Sequence, residues 1–199
     1  MIKVIAFDWG GVIEMIEGGL IKKISQYLNV SEEDWNEAYY SLIYLFHTNQ
    51  SSWEGVANLV AKKFNATDEQ ISHIQEMIKE NRATRKINQE LVEIIRSLKN
   101  KNYKIGLLSN NYVELRQEIQ DLGLADLFDT IVISAEVGFY KPQPEIFQIL
   151  FNKLGVQNNE VVFVDDTPNS LSGAKSIGYT SILFTDNQKF KEDLEKLGL

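Results

Sequence analysis

Short apolar runs alternate with amphipathic helical patterns along most of this chain. The first run, at 2–7, is rich in β-branched residues and ends at Asp8, just before Gly10 and Gly11. A short apolar run bounded by glycine predicts a buried strand. Similar runs, each separated from the next by a helical pattern, lie at 104–108, 130–134, 161–164 and 181–184. Strands that alternate with helices predict an α/β fold with a parallel sheet flanked by helices.

The segment 15–85 departs from this alternation, because it holds several helical patterns and no strand pattern. Three of its helices are predicted to start at Ser31, Ser51 and Thr67, and the Ser31 helix to run through to Phe46. Each of these starting residues is followed three positions later by Asp, Glu or Gln, which is a capping-box pattern. The predicted organisation is a small helical-bundle cap inserted into a parallel-sheet core, with the cap at 15–85 and the core at 1–14 and 86–199.

Polar side chains follow the predicted core strands at the points where these strands end. They are, in chain order, Asp8, Ser109, Asn110, Lys141, Asp165 and Asp166. In an open parallel sheet the ligand site lies beyond the carboxyl ends of the strands. We therefore expect these residues to meet at one edge of the sheet. Asp8 alone, with glycines after it, would be equally typical of an ordinary turn, so the prediction depends on the whole group.

Three carboxylates at one sheet edge repel one another unless a cation lies between them. At 4 Å and an effective dielectric constant near 20, each like-charge pair costs about 4 kcal/mol. Mg²⁺ removes that cost, and it typically binds one or two carboxylates together with water and a substrate phosphate. Ser109, Asn110 and Lys141 offer a hydroxyl, an amide and an ammonium group, which are donors suited to phosphate oxygens. A free carboxylate beside such a site is a candidate nucleophile.

Composition and charge narrow the range of partners. The chain has 199 residues, of which 44% are hydrophobic, and a formal net charge of -8. Binding to nucleic acid needs a basic surface, so this balance argues against a nucleic-acid partner. No apolar run is long enough to span a bilayer, and we expect no membrane partner. The absence of cysteine and of a signal-peptide pattern predicts a cytoplasmic location.

The residues at the strand ends carry a resemblance to a known family. The chain resembles the haloacid dehalogenase-like superfamily of hydrolases over nearly its whole length. Four motifs occur in the family's order. They are Asp8 with Gly11 and Val12, then Ser109 within 107–110, then Lys141 within 138–147, and finally Asp165 and Asp166 followed by Asn169, Ala174 and Gly178.

This resemblance implies a Rossmannoid core with a helical cap inserted after the first motif. It also implies a Mg²⁺-dependent phosphatase that acts on a small phosphorylated metabolite through an aspartyl-phosphate intermediate. By the same resemblance, Asp8 is the nucleophile, while Ser109, Asn110 and Lys141 bind the transferring phosphoryl group. The implied metal site consists of Asp8, the Gly10 carbonyl and Asp166, with Asp165 as a direct ligand or one layer further out.

Gly10 departs from the family pattern, because phosphatases of the family usually carry a second Asp there as general acid and base. The pattern around Gly10 resembles a branch that includes sugar-phosphate phosphatases, so activity is still expected. One alternative is a catalytically weak member that binds a phosphorylated ligand or a partner protein. Glu14 is a candidate replacement acid. Phosphomutase and dehalogenase activities are less favoured by the motifs.

The predicted cap offers few further candidates. Its aromatic residues, Tyr40 and Tyr44 among them, are predicted to pack in the bundle or to contact the substrate. His47 and His73 are isolated in the sequence, and we assign no role to either.

Overall fold

The computed structural model describes residues 1–199, and a five-stranded parallel sheet lies at its centre. The chain forms seven strands, which are β1 Val4–Phe7, β2 Glu14–Met15, β3 Lys86–Ile87, β4 Lys104–Ser109, β5 Thr130–Ile133, β6 Val161–Asp165 and β7 Thr180–Leu183. The order in the sheet is β5-β4-β1-β6-β7, and every neighbouring pair is parallel. The predicted fold class, a Rossmannoid parallel sheet, is therefore confirmed.

The central strand β1 is buried on both faces because helices cover both sides of the sheet. Its alternate residues enter different hydrophobic clusters: Ile5 and Phe7 join one cluster, and Val4 and Ala6 join the other. This division follows from the two-residue repeat of a strand. All four residues are fully buried, which explains why the sequence shows a continuous apolar run and no alternation.

Eleven helices surround or extend this sheet. They are α1 Leu20–Leu28, α2 Glu32–Tyr40, α3 Tyr44–His47, α4 Trp53–Lys63, α5 Asp68–Arg82, α6 Gln89–Asn100, α7 Leu115–Asp121, α8 Ser134–Val137, α9 Pro144–Leu154, α10 Ala174–Ile177 and α11 Asn187–Lys196. Helices α6, α7 and α11 pack on one face of the sheet, and α9 and α10 pack on the other. No helix combines the length and the apolar composition needed to cross a membrane.

Helices α1 to α5 have a hydrophobic cluster of their own, separate from the two clusters that cover the sheet. Trp35, Val60 and Ile74 are among its most buried members. The chain enters this helical unit through β2 and leaves it through β3. These two short strands pair antiparallel and lie at the predicted boundaries of the cap.

Several predicted helix limits are wrong in detail. The helix predicted from Ser31 through Phe46 is two helices, because the chain turns between α2 and α3. At that turn the Ser41 hydroxyl donates to the Ala38 carbonyl at 2.7 Å, a local bond that competes with regular helix. Helix α4 is capped by Ser52, whose hydroxyl accepts from the Gly55 N–H, and not by Ser51. The capping box predicted at Thr67 is present.

Candidate active site

The carboxyl edge of the sheet brings together the six polar residues that follow its strands. Asp8 comes directly after β1, Ser109 is the last residue of β4, and Asp165 is the last residue of β6. Carboxylate oxygens of Asp8, Asp165 and Asp166 lie within 4.8 Å of one another. The side chains of Asp8, Ser109 and Asp165 are buried or nearly so, whereas Asp166 is exposed. Three carboxylates this close offer the oxygen ligands that a hard cation prefers.

A buried ammonium group lies between two of these carboxylates. Lys141 Nζ is 2.9 Å from Asp8 Oδ1 and 2.6 Å from Asp165 Oδ2, and its side chain is 1% exposed. Asp8 Oδ1 also accepts the Trp9 N–H at 2.7 Å. Both of these donors hold the same oxygen of Asp8. Its other oxygen, Oδ2, is therefore the one left available for chemistry.

Asn110 holds the backbone of Lys141 in place. Its Oδ1 accepts the Lys141 N–H at 2.7 Å, and its Nδ2 donates to the Lys141 carbonyl at 3.0 Å. This pair of bonds fixes the loop after β5 against the end of β4. The sequence resemblance implies that Asn110 binds the phosphoryl group, but its side chain here mainly positions Lys141. Only the second hydrogen on Nδ2 remains for a ligand.

Both carboxylate oxygens of Asp165 already have donors within the protein. Its Oδ2 accepts from Lys141, and its Oδ1 accepts the Thr167 N–H at 2.8 Å. The sequence left open whether this carboxylate is a direct metal ligand or lies one layer out. Since both of its oxygens already have donors, the structure favours the outer position, from which Asp165 orients Lys141.

The charges of this cluster do not cancel. Three carboxylates and one ammonium leave a formal charge of about −2 when all are ionised. Burial raises the pKa of Asp8 to about 7, with Lys141 opposing the rise and Asp165 adding to it. Burial alone would lower the pKa of Lys141, but Asp8 and Asp165 outweigh it, so the pKa is raised and the ammonium stays charged. Burial and Asp165 also raise the pKa of Asp166. A divalent cation fits both the oxygen donors and the residual charge.

Gly10 and Gly11, which follow shortly after Asp8, differ in the space that a side chain would have at each position. Gly11 has a φ of 74°, and a Cβ there would lie 2.1 Å from Asp166 Oδ2. A side chain at Gly11 would therefore displace Asp166. Gly10 lines the cavity above Asp8, and a Cβ built on it meets no atom within 4 Å. The space that the family's usual acid would occupy is open.

Glu14, the candidate replacement acid, points elsewhere. Its Oε2 lies 3.5 Å from Arg85 Nε, at the junction of β2 and β3 with the core. Its side chain does not line the cavity that contains Asp8. Arg85 in turn lies 3.4 Å from Glu118 and donates to the Tyr112 hydroxyl at 3.2 Å. Glu14 therefore belongs to the network joining cap and core, and the alternative that it replaces the missing acid is wrong in this structure.

Two cavities lie between cap and core. The first, which we call the Asp8 cavity, has a volume of about 640 Å³ and contains Asp8, Gly10, Ser109 and Lys141. The cap contributes Tyr40 and Tyr44 to its wall. Tyr40 and Tyr44 are 70% and 42% exposed, so packing inside the bundle does not account for either of them, and their contact with a substrate stays a prediction.

The second, which we call the cap cavity, has a volume of about 610 Å³ and is bounded mainly by the cap and the β2–β3 junction. Four residues line both cavities: Tyr39, His47, Asn110 and Asn111. The two spaces therefore adjoin along these side chains.

His47 lies at this junction, although the sequence assigns it no role. Its ring lies 5.3 Å from that of Tyr140, the neighbour of Lys141, and 5.7 Å from that of Phe46. Its Nδ1 is buried without a hydrogen-bond partner. Burial, assisted by the charge of Lys141, lowers the pKa of His47 to about 4. The imidazole is therefore neutral at pH 7. Only the packing of α3 against the core reveals its position.

The chain is similar in sequence to one family of known proteins. The family model described as haloacid dehalogenase-like hydrolase matches residues 2–178. The chain belongs to this family. It is a hydrolase of the haloacid dehalogenase-like type, and its four motifs occupy the carboxyl edge of the sheet.

Individual relatives differ in the activities they are named for. Rat bifunctional epoxide hydrolase 2 is 30% identical over 129 residues, which are 62% of this chain and 23% of that protein. The chain thus spans about a quarter of the length of this relative. Glyceraldehyde 3-phosphate phosphatase of Methanothermobacter thermautotrophicus is 32% identical over 106 residues, 51% of this chain and 47% of that protein. Another relative, from Burkholderia cepacia, is named (S)-2-haloacid dehalogenase 4A.

One solved structure is a family enzyme from Bacteroides thetaiotaomicron in complex with magnesium and inorganic phosphate. It aligns with 93% of this chain and 95% of its own, with a TM-score of 0.64 and 19% identity. At this identity the likeness establishes the shared fold.

The charge balance of the cluster predicts that removal of Lys141 destabilises the protein much more than removal of the Asp8 charge. Lys141→Met leaves two buried carboxylates without their cation and should lower the free energy of unfolding by about 3–5 kcal/mol at pH 7. Asp8→Asn leaves one ammonium with one buried carboxylate and should change stability by less than about 1 kcal/mol. Urea denaturation in EDTA measures both. The Lys141→Met deficit should shrink at pH 4, because the raised pKa of Asp8 leaves its carboxyl group protonated there. An equal loss for both variants would contradict the charge balance.

His47 should make the protein less stable in acid. Its pKa is lowered in the folded state, so the unfolded chain takes up the proton first as the pH falls through 6.5 towards 4. This contributes about 2 kcal/mol of lost stability between pH 7 and pH 5. His47→Phe keeps an aromatic ring but has no titratable nitrogen. In urea denaturation it should therefore reduce the loss of stability between pH 7 and pH 5 by that amount. His73→Phe, at the exposed second histidine, is the matched control and should retain the wild-type loss.

Proposed function

We propose that the protein hydrolyses a small phosphomonoester by transient transfer of the phosphoryl group to Asp8. The observation that carries this proposal is the buried Lys141 ammonium, which binds Oδ1 of Asp8 and leaves Oδ2 without a donor from the protein, in a residue that lines an open cavity. An anionic phosphoryl group in that cavity would meet the ammonium of Lys141 and the Ser109 hydroxyl. Charge-assisted donors of this kind stabilise the oxygens of a transferring phosphoryl group.

The carboxylate cluster supports Mg²⁺ as the cofactor. Asp8, Asp166 and the Gly10 carbonyl would hold it, with Asp165 orienting Lys141 beside it. When bound, the cation would neutralise negative charge on the carboxylates and on the phosphate. The Bacteroides thetaiotaomicron enzyme of this fold, in complex with magnesium and inorganic phosphate, supports the assignment. The relative named as a phosphatase supports the proposed hydrolysis of a phosphate ester.

The proposed reaction has two displacements at phosphorus. In the first, Asp8 Oδ2 forms a bond to phosphorus while the bond to the alcohol oxygen breaks, and the departing oxygen takes a proton from water. In the second, a water molecule attacks the phosphorus of the acyl phosphate, loses its proton to solvent and releases inorganic phosphate, which restores the Asp8 carboxylate. Lys141 remains protonated throughout, because Asp165 pairs with it at every stage.

A second candidate function follows from Gly10. Without the family's usual acid, the departing oxygen receives no help from a side chain, and general acid catalysis is typically worth about 10²–10⁴-fold. A catalytically weak member that retains a phosphorylated ligand therefore remains the alternative. The two functions differ in turnover, which makes Gly10 the position to test.

An acidic side chain at position 10 should show how much turnover is lost because this residue is glycine. Gly10→Asp has room for its side chain and should raise kcat on alkyl phosphates by about tenfold or more, with little gain on aryl phosphates, whose leaving oxygen needs no proton. Gly10→Asn matches the size without the acid and is the control. Asp8→Asn should lower turnover by about 10³-fold or more on every ester. If wild type hydrolyses no ester in a broad panel, the binding function replaces the catalytic one.

Metal removal tests the cofactor. Dialysis against EDTA should abolish hydrolysis and Mg²⁺ should restore it, because the uncompensated carboxylates would otherwise repel the anionic substrate. The measurement is phosphate release with and without added Mg²⁺. Undiminished turnover in metal-free buffer would contradict the assignment.

A further inference from the structure

The cap cavity adjoins the place where the proposed chemistry occurs. It shares Tyr39, His47, Asn110 and Asn111 with the Asp8 cavity. A phosphoryl group at Asp8 would therefore leave the rest of its ester next to this second space. At about 610 Å³, the cap cavity falls within the usual range for small-molecule sites. It is larger than the body of a two- or three-carbon phosphate requires.

Aromatic and aliphatic side chains form much of the wall of this cavity. Tyr39, Phe46 and Trp53 contribute aromatic rings, and Ile16 and Ile78 contribute aliphatic surface. The indole N–H of Trp53 donates to the Tyr39 hydroxyl at 2.9 Å. The polar edge of the indole is thus satisfied within the protein, and its ring is left as an apolar contact surface.

The charged groups in the same wall are either paired or carry no net positive charge. Arg82 pairs with Glu54, and Arg85 lies between Glu14 and Glu118. The wall holds three acids and three bases, namely Glu14, Glu17, Glu32, Lys22, Arg82 and Arg85. Lys22 has no ion-pair partner, but Glu17 and Glu32 in the same wall have none either. The unpaired charges of the wall therefore sum to −1, which disfavours a second anionic group on the ligand. The neutral imidazole of His47 at the junction adds no charge.

We propose that the substrate is the phosphomonoester of an uncharged alcohol with an aromatic or bulky apolar body, and that this body lies in the cap cavity. This inference rests on the proposed function and names its substrate class. The phosphoryl group meets Lys141 in the Asp8 cavity, and the organic group passes His47 to contact Tyr39, Phe46 and Trp53. A sugar in the same position would bring several hydroxyl groups against the rings of Tyr39, Phe46 and Trp53, where they would lose their hydrogen bonds to water.

The test compares primary alkyl phosphates, whose leaving oxygens need similar proton assistance. The substrates are ethyl phosphate, glucose 6-phosphate and 2-phenylethyl phosphate, assayed with Mg²⁺. We expect kcat/KM for 2-phenylethyl phosphate to exceed that for each of the others by about tenfold or more, since burial of apolar surface favours its transition-state complex. A higher kcat/KM for glucose 6-phosphate would overturn the inference while leaving the proposed function intact.

A matched pair of variants locates the effect in the cap cavity. Ile16 lines this cavity and is 43% exposed, while Leu59 lies on α4, away from both cavities, and is 42% exposed. Ile16→Trp should lower kcat/KM for 2-phenylethyl phosphate by about tenfold and leave ethyl phosphate within about twofold, because the added ring occupies space that only the larger substrate needs. Leu59→Trp should change neither value. Equal losses on both substrates for Ile16→Trp would overturn the inference.

Turnover of ethyl phosphate separates this inference from the proposed function. If ethyl phosphate is hydrolysed without preference for the phenyl ester, only the substrate class is wrong. If no ester is hydrolysed, the proposed function fails, and calorimetry with 2-phenylethyl phosphate then tests the cavity alone. Binding that is tighter than that of ethyl phosphate, and that Ile16→Trp weakens, would support the cap cavity as the site of the apolar body. Equal binding of the two esters would overturn that assignment.

Discussion

The rest of the site depends on the ion pairs that the buried ammonium group of Lys141 forms with Asp8 and Asp165. The ammonium group neutralises part of the charge on Asp8 and Asp165, which come from neighbouring strands, and it is itself positioned by the side chain of Asn110 from a third strand end. An ionised lysine tolerates burial only when such partners surround it. Because one ammonium serves two buried carboxylates, the cluster keeps an excess of negative charge, and that excess favours a divalent cation.

The charge of Lys141 also affects a residue of the cap. His47 reaches the neighbourhood of Lys141 from α3, where the lysine charge and burial both disfavour a protonated imidazole. The junction between the two cavities is thus formed by a neutral ring, while the strand ends below it are strongly charged. The Asp8 cavity is thus lined by charged strand ends, whereas the cap cavity has a larger share of apolar side chains in its wall.

Sequence patterns predicted the core well because its signals are local. The apolar run of β1, the capping box at Thr67 and the order of polar residues at strand ends each depend on a few neighbouring positions. The break between α2 and α3 was not predicted, since the apolar pattern continues across it and one bond from Ser41 accompanies the turn. Glu14 and Asn110 were assigned from their nearness to the motifs, yet the direction of each side chain depends on distant partners.

Local patterns in the sequence were enough to predict the parallel α/β core, the residues at its carboxyl edge, the family and the absence of an acidic side chain at Gly10. Which of these residues touch depends on tertiary packing. In the folded chain Glu14 lies near Arg85, and Asp165 accepts hydrogen bonds from Lys141 and Thr167. His47 lies at the junction of the two cavities. The physical reason is that periodicity and motif spacing record which face of an element is buried, whereas a cavity or an ion pair depends on how separate elements pack together.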